Sequence, residues 1–234
     1  MANAEEFQGF TPQTVKFFSD LKKHNGKSWF QERKALYDSE VLAPSRDLVT
    51  AMGGRLQKIA PLVNADPRVN KSLFRIYRDV RFAKDKSPYK THLGLWFWEG
   101  PGPRMECSGF YFQMDPPKVM LGVGIYCLPK FLLGPYRQAV ADPELGAALD
   151  RAVAKVSKAG YTVGGLKYKR VPRGFDPEHP RGELLKHDGL WAAYEAEIPP
   201  ELYTAGLPGW CLPHYRAMLP LHQWLLELTV RESF

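Results

Sequence analysis

Residues 109–126 read GFYFQMDPPKVMLGVGIY, two apolar and aromatic runs separated by the sequence Asp115-Pro116-Pro117-Lys118. Aromatic and β-branched residues favour strands, whereas aspartate and proline favour turns. The stretch therefore predicts an antiparallel hairpin whose strands cover residues 109–114 and 119–126. A further aromatic run, Leu93 to Trp98, predicts another strand before the hairpin.

Helical patterns lie on both sides of these strands. Thr11-Pro12 and Asp142-Pro143 are typical of helix starts, because a capping residue is followed by proline in the first turn. Gly160 is typical of a helix end. Together with the spacing of apolar residues, these signals predict helices over residues 11–25, 28–44, 44–60, 142–160 and 213–231.

The order of these elements predicts the fold class. Helices come first, then hairpin strands, then mixed elements, which is typical of an α+β fold rather than a parallel, doubly wound sheet. We expect N-terminal helices packed on a mainly antiparallel sheet, with further helices in the C-terminal half. Because the sequence has no repeat, low-complexity tract or linker, a single domain over residues 1–234 is predicted.

Composition indicates the compartment. The three cysteines, Cys107, Cys127 and Cys211, are odd in number and widely spaced, which argues against a disulfide framework and against a zinc site. The N-terminal MANAEEFQGFTPQT has no apolar run, and no later stretch has the length and apolarity of a membrane span. We expect a soluble, cytoplasmic protein with no membrane partner.

Positive charge is concentrated in SLFRIYRDVRFAKDKSPYKTH, residues 72–92. The formal net charge of the chain is +7, and residues 71–92 contain seven lysines and arginines against two aspartates. Apolar residues alternate with charged ones from Phe74 to Phe82, which predicts a strand with Phe82 facing the core, although Arg78 interrupts the alternation. A solvated charge run would not need this apolar framework.

The same segment supplies the candidate site. Arginine presents a planar fork of donors that suits phosphate and carboxylate groups, so several cations held together would bind an anion. Tyr77, Tyr89 or His92 could transfer protons if the neighbouring cations lower a tyrosine pKa. In the alternative interpretation, Arg78 and Arg81 pair with Asp79, Asp85 and other carboxylates and only stabilise the fold. The predicted ligand-binding residues are Arg75, Arg78, Arg81, Lys86, Tyr89 and Lys90.

Two weaker candidates lie nearer the C-terminus. Glu183 and His187 would share a helix face at a spacing of four residues, and Glu178 and His179 could join them as metal ligands; a turn without metal is the alternative. The second candidate is a nucleic-acid surface that interleaves cations with aromatic rings. Its residues are Lys167, Tyr168, Lys169, Arg170, Arg173 and Phe175.

Several common signatures are absent from the sequence. Gly122 and Gly124 lie inside a predicted strand without a third glycine or a following helix, so they are no dinucleotide fingerprint. Phosphate-cradling GxxxxGK[ST], GxSxG and HExxH motifs are missing as well. The two glycines more simply allow close packing against the sheet.

Four long strings carry a family resemblance: NGKSWFQERKALYDSEVLAP, FRIYRDVRFAKDKSPYKTH, GFYFQMDPPKVMLGVGIY and KRVPRGFDPEHPRGELLK. In order and spacing they resemble the family called domain of unknown function 2461, over about Phe10 to Leu225. The family pattern RDxRFxxDKxPYK fits Arg78 to Lys90 at every fixed position. The resemblance implies a single cytoplasmic domain and no established activity.

The leading hypothesis is an enzyme or binding protein that recognises an anionic small molecule carrying phosphate or carboxylate. A nucleic-acid-binding module that uses the same cations together with Lys167, Lys169 and Arg170 is the alternative, and a structural or interaction domain is a third. The sequence assigns no catalytic residue, metal or cofactor. Whether the protein is an enzyme stays open.

Overall fold

The structure, a computed structural model, describes residues 6–231, with side chains up to Thr229. Helices and one short strand form the N-terminal part: α1 (Pro12–Lys23), α2 (Lys27–Glu32), α3 (Lys34–Tyr37), a π-helical turn (Asp38–Leu42), α4 (Ala43–Leu56) and β1 (Val63–Asn64). The central part contains β2 (Leu93–Glu99), β3 (Gly109–Asp115), β4 (Lys118–Ile125), α5 (Lys130–Ala141) and α6 (Pro143–Lys158). The last part contains β5 (Thr162–Leu166), α7 (Gly182–Leu185), β6 (His187–Glu197), a 3-10 helix (Pro200–Tyr203) and α8 (Leu207–Arg231).

The six strands form one antiparallel sheet in the order β1-β2-β3-β4-β6-β5. The α+β prediction is thus confirmed, and so are the hairpin of β3 and β4 and the strand before it. Among the described residues, no helix is long and apolar enough to cross a membrane.

Helix α6 shows how local sequence sets an element boundary. The Asp142 carboxylate accepts hydrogen bonds from the backbone N–H groups of Glu144 and Leu145, at 2.9 and 2.8 Å, and Pro143 occupies the first turn. The helix ends just before Gly160, which has a φ of +90°. The predicted start and end are therefore confirmed.

Two predictions of secondary structure are wrong, and one helix was not predicted. Residues 74–82, all of them described, form no strand of the sheet, and Phe82 is 95% exposed instead of facing the core. Helix α5 was hidden by Gly134 and Pro135, which are rare in helix interiors. Helix α8 begins at Leu207 rather than at Pro213, so that prolines again lie inside a helix.

The chain divides into two compact units, and the prediction of a single domain stays a prediction. The first unit contains the described residues up to Phe97 together with Tyr111–Leu121 and Glu195–Pro213. Its core is rich in aromatic rings: Phe30 stacks on Tyr89 with 4.3 Å between ring centroids, and Phe17 contacts Phe30 edge-on at 6.3 Å. Both arrangements are favourable for aromatic pairs.

The second unit contains Trp98–Phe110, Gly122–Tyr194 and the described residues from His214 onward. Tyr215 and Trp224 of α8 contact Phe110 and Tyr136 edge-on, with ring centroids 5.4 and 6.0 Å apart. The buried Tyr136 hydroxyl donates a hydrogen bond to the Leu184 carbonyl at 3.0 Å, so its polar end is satisfied.

Candidate functional site

Residues 75–90, here called the basic loop, are closed at their base by backbone hydrogen bonds. The N–H of Arg78 donates to the Pro88 carbonyl at 2.9 Å, and the N–H of Lys90 donates to the Ile76 carbonyl at 2.8 Å. Tyr77 and Tyr89 face each other in an isolated antiparallel bridge. The segment predicted as a strand is therefore a loop held at its two ends.

The side chain of Asn25 anchors the base from outside the loop. Its Oδ1 accepts a hydrogen bond from the Tyr89 N–H at 3.0 Å, and its Nδ2 donates to the Tyr89 carbonyl at 2.9 Å. One amide side chain thus satisfies both backbone groups of a buried residue, as a neighbouring strand would.

Two arginines pair with the two aspartates of the loop. Arg78 donates to the Asp85 carboxylate and, at 3.1 Å, to the Ser87 carbonyl. Arg81 binds Asp79 through Nε at 3.0 Å and Nη2 at 2.7 Å. Both pairs lie inside the loop and near its surface, so they order the loop and contribute little to global stability.

The pairs also change the aspartate pKa values. The hydrogen bonds from the Arg81 side chain and N–H lower the pKa of Asp79 to about 2. Hydrogen bonds from Ser87, followed by that from Arg78, lower the pKa of Asp85 well below its ordinary range. At neutral pH both carboxylates are therefore ionised.

The remaining predicted cations have separate surroundings. Lys86 donates to the Val80 carbonyl at 2.9 Å, and the ammonium of Lys90 lies 4.9 Å from the centroid of the Phe74 ring. Arg75 has an exposed side chain, and so has Lys84, a further cation of the loop that was not among the predicted ligand-binding residues. The structure thus places the six predicted residues in one segment, but each has its own neighbours.

Tyr89 lies in the core beneath the loop, with 2% of its surface exposed. Burial raises its pKa, which is the opposite of the lowering that proton transfer would need. Burial also lowers the pKa of the half-buried His92. Tyr89 therefore positions the loop, and the condition for proton transfer by this tyrosine, a pKa lowered by neighbouring cations, is not met.

Phe82 is the feature of the loop that the sequence did not predict. The ring is 95% exposed, and the guanidinium of Arg81 lies 5.9 Å from its centroid. An exposed phenylalanine beside Arg81, Lys84 and Lys86 combines an apolar or stacking surface with positive charge.

The predicted metal ligands do not come together. Helix α7 ends at Leu185 and His187 begins β6, so Glu183 and His187 do not share a helix face. Glu183 pairs with Lys186, and His179 Nδ1 accepts a hydrogen bond from the Arg181 N–H at 3.0 Å. Within the described part of the chain, no three His, Cys, Asp or Glu residues are grouped so that they could hold a metal ion.

The second basic segment, residues 167–175, lies mostly at the surface. The ammonium of Lys167 lies 3.7 Å from the Asp188 carboxylate, and the Arg137 guanidinium lies 5.1 Å from the centroid of the Tyr168 ring. Lys169, Arg170 and Arg173 are exposed, and Phe175 is half-buried.

Residues 13–224, which include the basic loop, match the sequence profile of one protein family. The chain belongs to the DUF2461 family. Its members are described as conserved hypothetical proteins, so membership confirms the resemblance and assigns no activity. No curated protein matches this DUF2461 chain.

The DUF2461 protein also contains a hydrogen-bonded chain of three side chains, all in the second unit. Ser108 Oγ lies 2.8 Å from His222 Nδ1, and His222 Nε2 lies 2.7 Å from Glu99 Oε2. The exposed fractions of Ser108, His222 and Glu99 are 0, 1 and 4%. Backbone pairing of Glu99 with Ser108, whose carbonyl accepts the Glu99 N–H at 2.9 Å, places both side chains beside α8.

Sequence analysis missed these three hydrogen-bonded residues because they follow no motif. His222 is 114 residues from Ser108 and 123 from Glu99, and Ser108 lies in the sequence Cys-Ser-Gly without the GxSxG pattern. The only available signal was the presence of polar residues in apolar surroundings: Glu99 directly follows Trp96-Phe97-Trp98, and His222 lies among leucines.

Proposed function

We propose that this DUF2461 protein binds an anionic, phosphate-bearing ligand through the basic loop. The observation that carries the proposal is an ordered loop with six lysines and arginines against two aspartates, closed at its base and exposed at its tip. Its small-molecule form is a phosphorylated metabolite or nucleotide. We place the protein in the cytoplasm, where unpaired cysteines such as the exposed Cys127 persist.

Arg81 has the donors that such a ligand needs. It uses Nε and Nη2 for Asp79, which leaves further guanidinium hydrogens for a second acceptor, and most of its side chain is exposed. Lys84 and Lys86 add exposed positive charge on the same tip. Two charge-assisted hydrogen bonds contribute about 3–6 kcal/mol before the cost of association, so these bonds by themselves account for dissociation constants of roughly tens of micromolar to several millimolar.

A single-stranded nucleic acid is the second candidate, and the exposure of Phe82 favours it. A base that stacks on an aromatic side chain contributes about 1–3 kcal/mol, and it does so with little dependence on sequence. A free nucleotide and a single-stranded nucleic acid present the same phosphate and base, so an experiment has to distinguish these two ligands.

Thermal melts and calorimetric titrations with inorganic phosphate, ATP and a twelve-residue oligothymidylate test the proposal. The loop variant is Arg81→Gln/Lys84→Gln, and the control is Lys16→Gln/Lys23→Gln, which removes two exposed positive charges from α1. We expect the ligands to stabilise the unaltered protein and the control but not the loop variant.

Stabilisation by ATP alone identifies the small molecule, and stabilisation by the oligonucleotide at lower concentration identifies the strand. Equal stabilisation of the loop variant and the control would place the ligand elsewhere and contradict the proposal. An absence of any effect with all three ligands would also contradict it.

A further inference from the structure

The buried chain of Ser108, His222 and Glu99 contains a nucleophile, a base and a carboxylate in hydrogen-bond contact. The two distances, 2.8 Å from Ser108 Oγ to His222 Nδ1 and 2.7 Å from His222 Nε2 to Glu99 Oε2, are those of well-formed hydrogen bonds. All three residues belong to the second unit, whereas the basic loop belongs to the first, so the hydrogen bonds among the three side chains do not involve the basic loop.

Stability alone does not explain three polar side chains at this position. The imidazole of His222 packs against the ring of Phe110, with centroids 4.7 Å apart, and all three polar side chains are buried. Removing a carboxylate and an imidazole from water costs free energy, and well-packed apolar residues of the same volume are often at least as stabilising. The arrangement is therefore better explained by chemistry than by packing.

If Glu99 is ionised and His222 is neutral, the hydrogen bonds determine which imidazole nitrogen carries the proton. An ionised Glu99 can only accept, so the hydrogen of a neutral His222 lies on Nε2. Nδ1 then has a free lone pair that faces the Ser108 hydroxyl, which donates to it. The order of roles, a serine hydroxyl that donates to an imidazole oriented by a carboxylate, is that of serine nucleophiles on unrelated folds. In that triad the serine pairs with Nε2 and the carboxylate with Nδ1, whereas here the two ring nitrogens are exchanged.

We propose that Ser108 is a catalytic nucleophile for acyl transfer from a small carboxylic ester, with His222 as general base and Glu99 as the positioning residue. Ser108 Oγ forms a bond to the carbonyl carbon while His222 takes the hydroxyl proton. The ester C–O bond then breaks, and His222 gives the proton to the leaving alcohol. Water then attacks the acyl-serine while His222 takes a proton from it. The bond between Ser108 Oγ and the acyl carbon breaks, His222 returns the proton to Ser108 Oγ, and the carboxylic acid is released.

In this proposal, access to the nucleophile is assigned to the connection of residues 100–107, which joins Glu99 to Ser108 in the sequence. This segment contains Gly100, Pro101, Gly102 and Pro103 and exposes Met105. Because Ser108 is fully buried, part of the surrounding structure has to move before an ester reaches Oγ, and the proposal requires that this connection is the part that moves. The buried position restricts the substrate to small acyl groups.

A fluorophosphonate probe, which labels base-activated serines, tests the proposal on the full chain. We expect one covalent adduct by intact mass, located at Ser108 by peptide mapping, and slow hydrolysis of p-nitrophenyl acetate. Ser108→Ala should abolish both. Glu99→Gln and His222→Gln, compared at equal folded fraction, should lower the labelling rate about 100-fold or more.

The matched control is Ser72→Ala, because Ser72 is also fully buried but its hydroxyl accepts a hydrogen bond from the Asp66 N–H. This variant should keep the full labelling rate. Labelling of the unaltered protein decides the proposal even where a variant fails to fold. Absence of an adduct after hours of incubation, an adduct at another residue, or a rate unchanged in His222→Gln would overturn it.

Discussion

At the scale of single residues, similar side chains in the basic loop have different tasks. Arg78 and Arg81 pair with aspartates of the loop, whereas the Arg75 side chain is exposed. The sequence pointed to these residues because cations cluster in an apolar framework, but the cluster alone does not say which cation pairs with which acid. That assignment depends on how the loop closes.

Replacing Phe82 and Phe30 by alanine should change the free energy of unfolding by very different amounts, because one ring is exposed and the other is buried. Phe82→Ala should change the free energy of unfolding by no more than about 0.5 kcal/mol, because the ring is 95% exposed. Phe30→Ala should cost about 3–5 kcal/mol, because this ring is 1% exposed and stacks on Tyr89. Denaturant unfolding of both variants measures the two values, and a large loss for Phe82→Ala would contradict its exposed position.

The carboxylate of Asp79 should titrate at unusually low pH. Its pKa is lowered to about 2 by Arg81, so the pair is fully formed above pH 4 and is lost as the pH falls through about 2. Carbon-13 NMR of the carboxyl group between pH 6 and 1.5 follows this directly. Arg81→Gln should move the midpoint back towards the ordinary value of about 3.9. A native midpoint near 4 would show that the pair does not form in solution.

At the scale of elements, sequence patterns located the helices and strands that begin and end with local signals. Helix α6 has an aspartate cap and a terminal glycine, and both boundaries were predicted. Residues 74–82 alternate as a strand does, yet Ile76 and Arg78 pair through their backbones with the returning residues Lys90 and Pro88. Periodicity reports which side chains are apolar, and it does not report whether a neighbouring strand is present.

Asn25 should contribute more to stability than its half-buried position indicates. Asn25→Ala leaves the N–H and the carbonyl of buried Tyr89 without their partner, which should cost about 1–3 kcal/mol. Asn25→Asp keeps the acceptor for the N–H but loses the donor, so an intermediate loss is expected. Urea unfolding measures both. A stability loss below about 0.5 kcal/mol for Asn25→Ala would mean that water replaces the amide.

Two glycines should respond to alanine in opposite directions. Gly124 has a φ of +126°, and a Cβ atom there would lie 2.3 Å from the Leu190 carbonyl oxygen, so Gly124→Ala should cost about 3 kcal/mol or more. An added Cβ at Gly134 in α5 meets no atom within 4 Å, so Gly134→Ala should stabilise by about 0.5–1 kcal/mol. Melting temperatures that fall for the first and rise for the second support this packing of β4 against β6.

At the scale of the whole molecule, the order of elements was sufficient to predict the α+β fold and the family. The buried chain of Glu99, Ser108 and His222 was beyond reach, because residues more than a hundred positions apart meet only after the sheet and α8 have packed. The same limit applies to Phe82, whose exposure follows from the absence of a strand. Local sequence patterns predict helices and strands well, but the packing of these elements decides which distant residues come into contact.

The last prediction concerns the salt dependence of nucleic-acid binding. The two exposed basic segments can be compared by removing the same positive charge from each. A strand that neutralises about five phosphates gives a slope of log affinity against log salt of roughly −3.5 to −4.5. Arg81→Gln/Lys84→Gln/Lys86→Gln removes three of the cations from the basic loop, so the slope should become shallower by about 2–3. Lys167→Gln/Lys169→Gln/Arg170→Gln removes the same charge from the second segment and should leave the slope unchanged.

Fluorescence anisotropy with the oligothymidylate measures the affinity of all three proteins between about 25 and 200 mM salt. If the second variant loses the salt dependence and the first retains it, the strand binds outside the basic loop; if the unaltered protein does not bind at the lowest salt, the nucleic-acid candidate is eliminated.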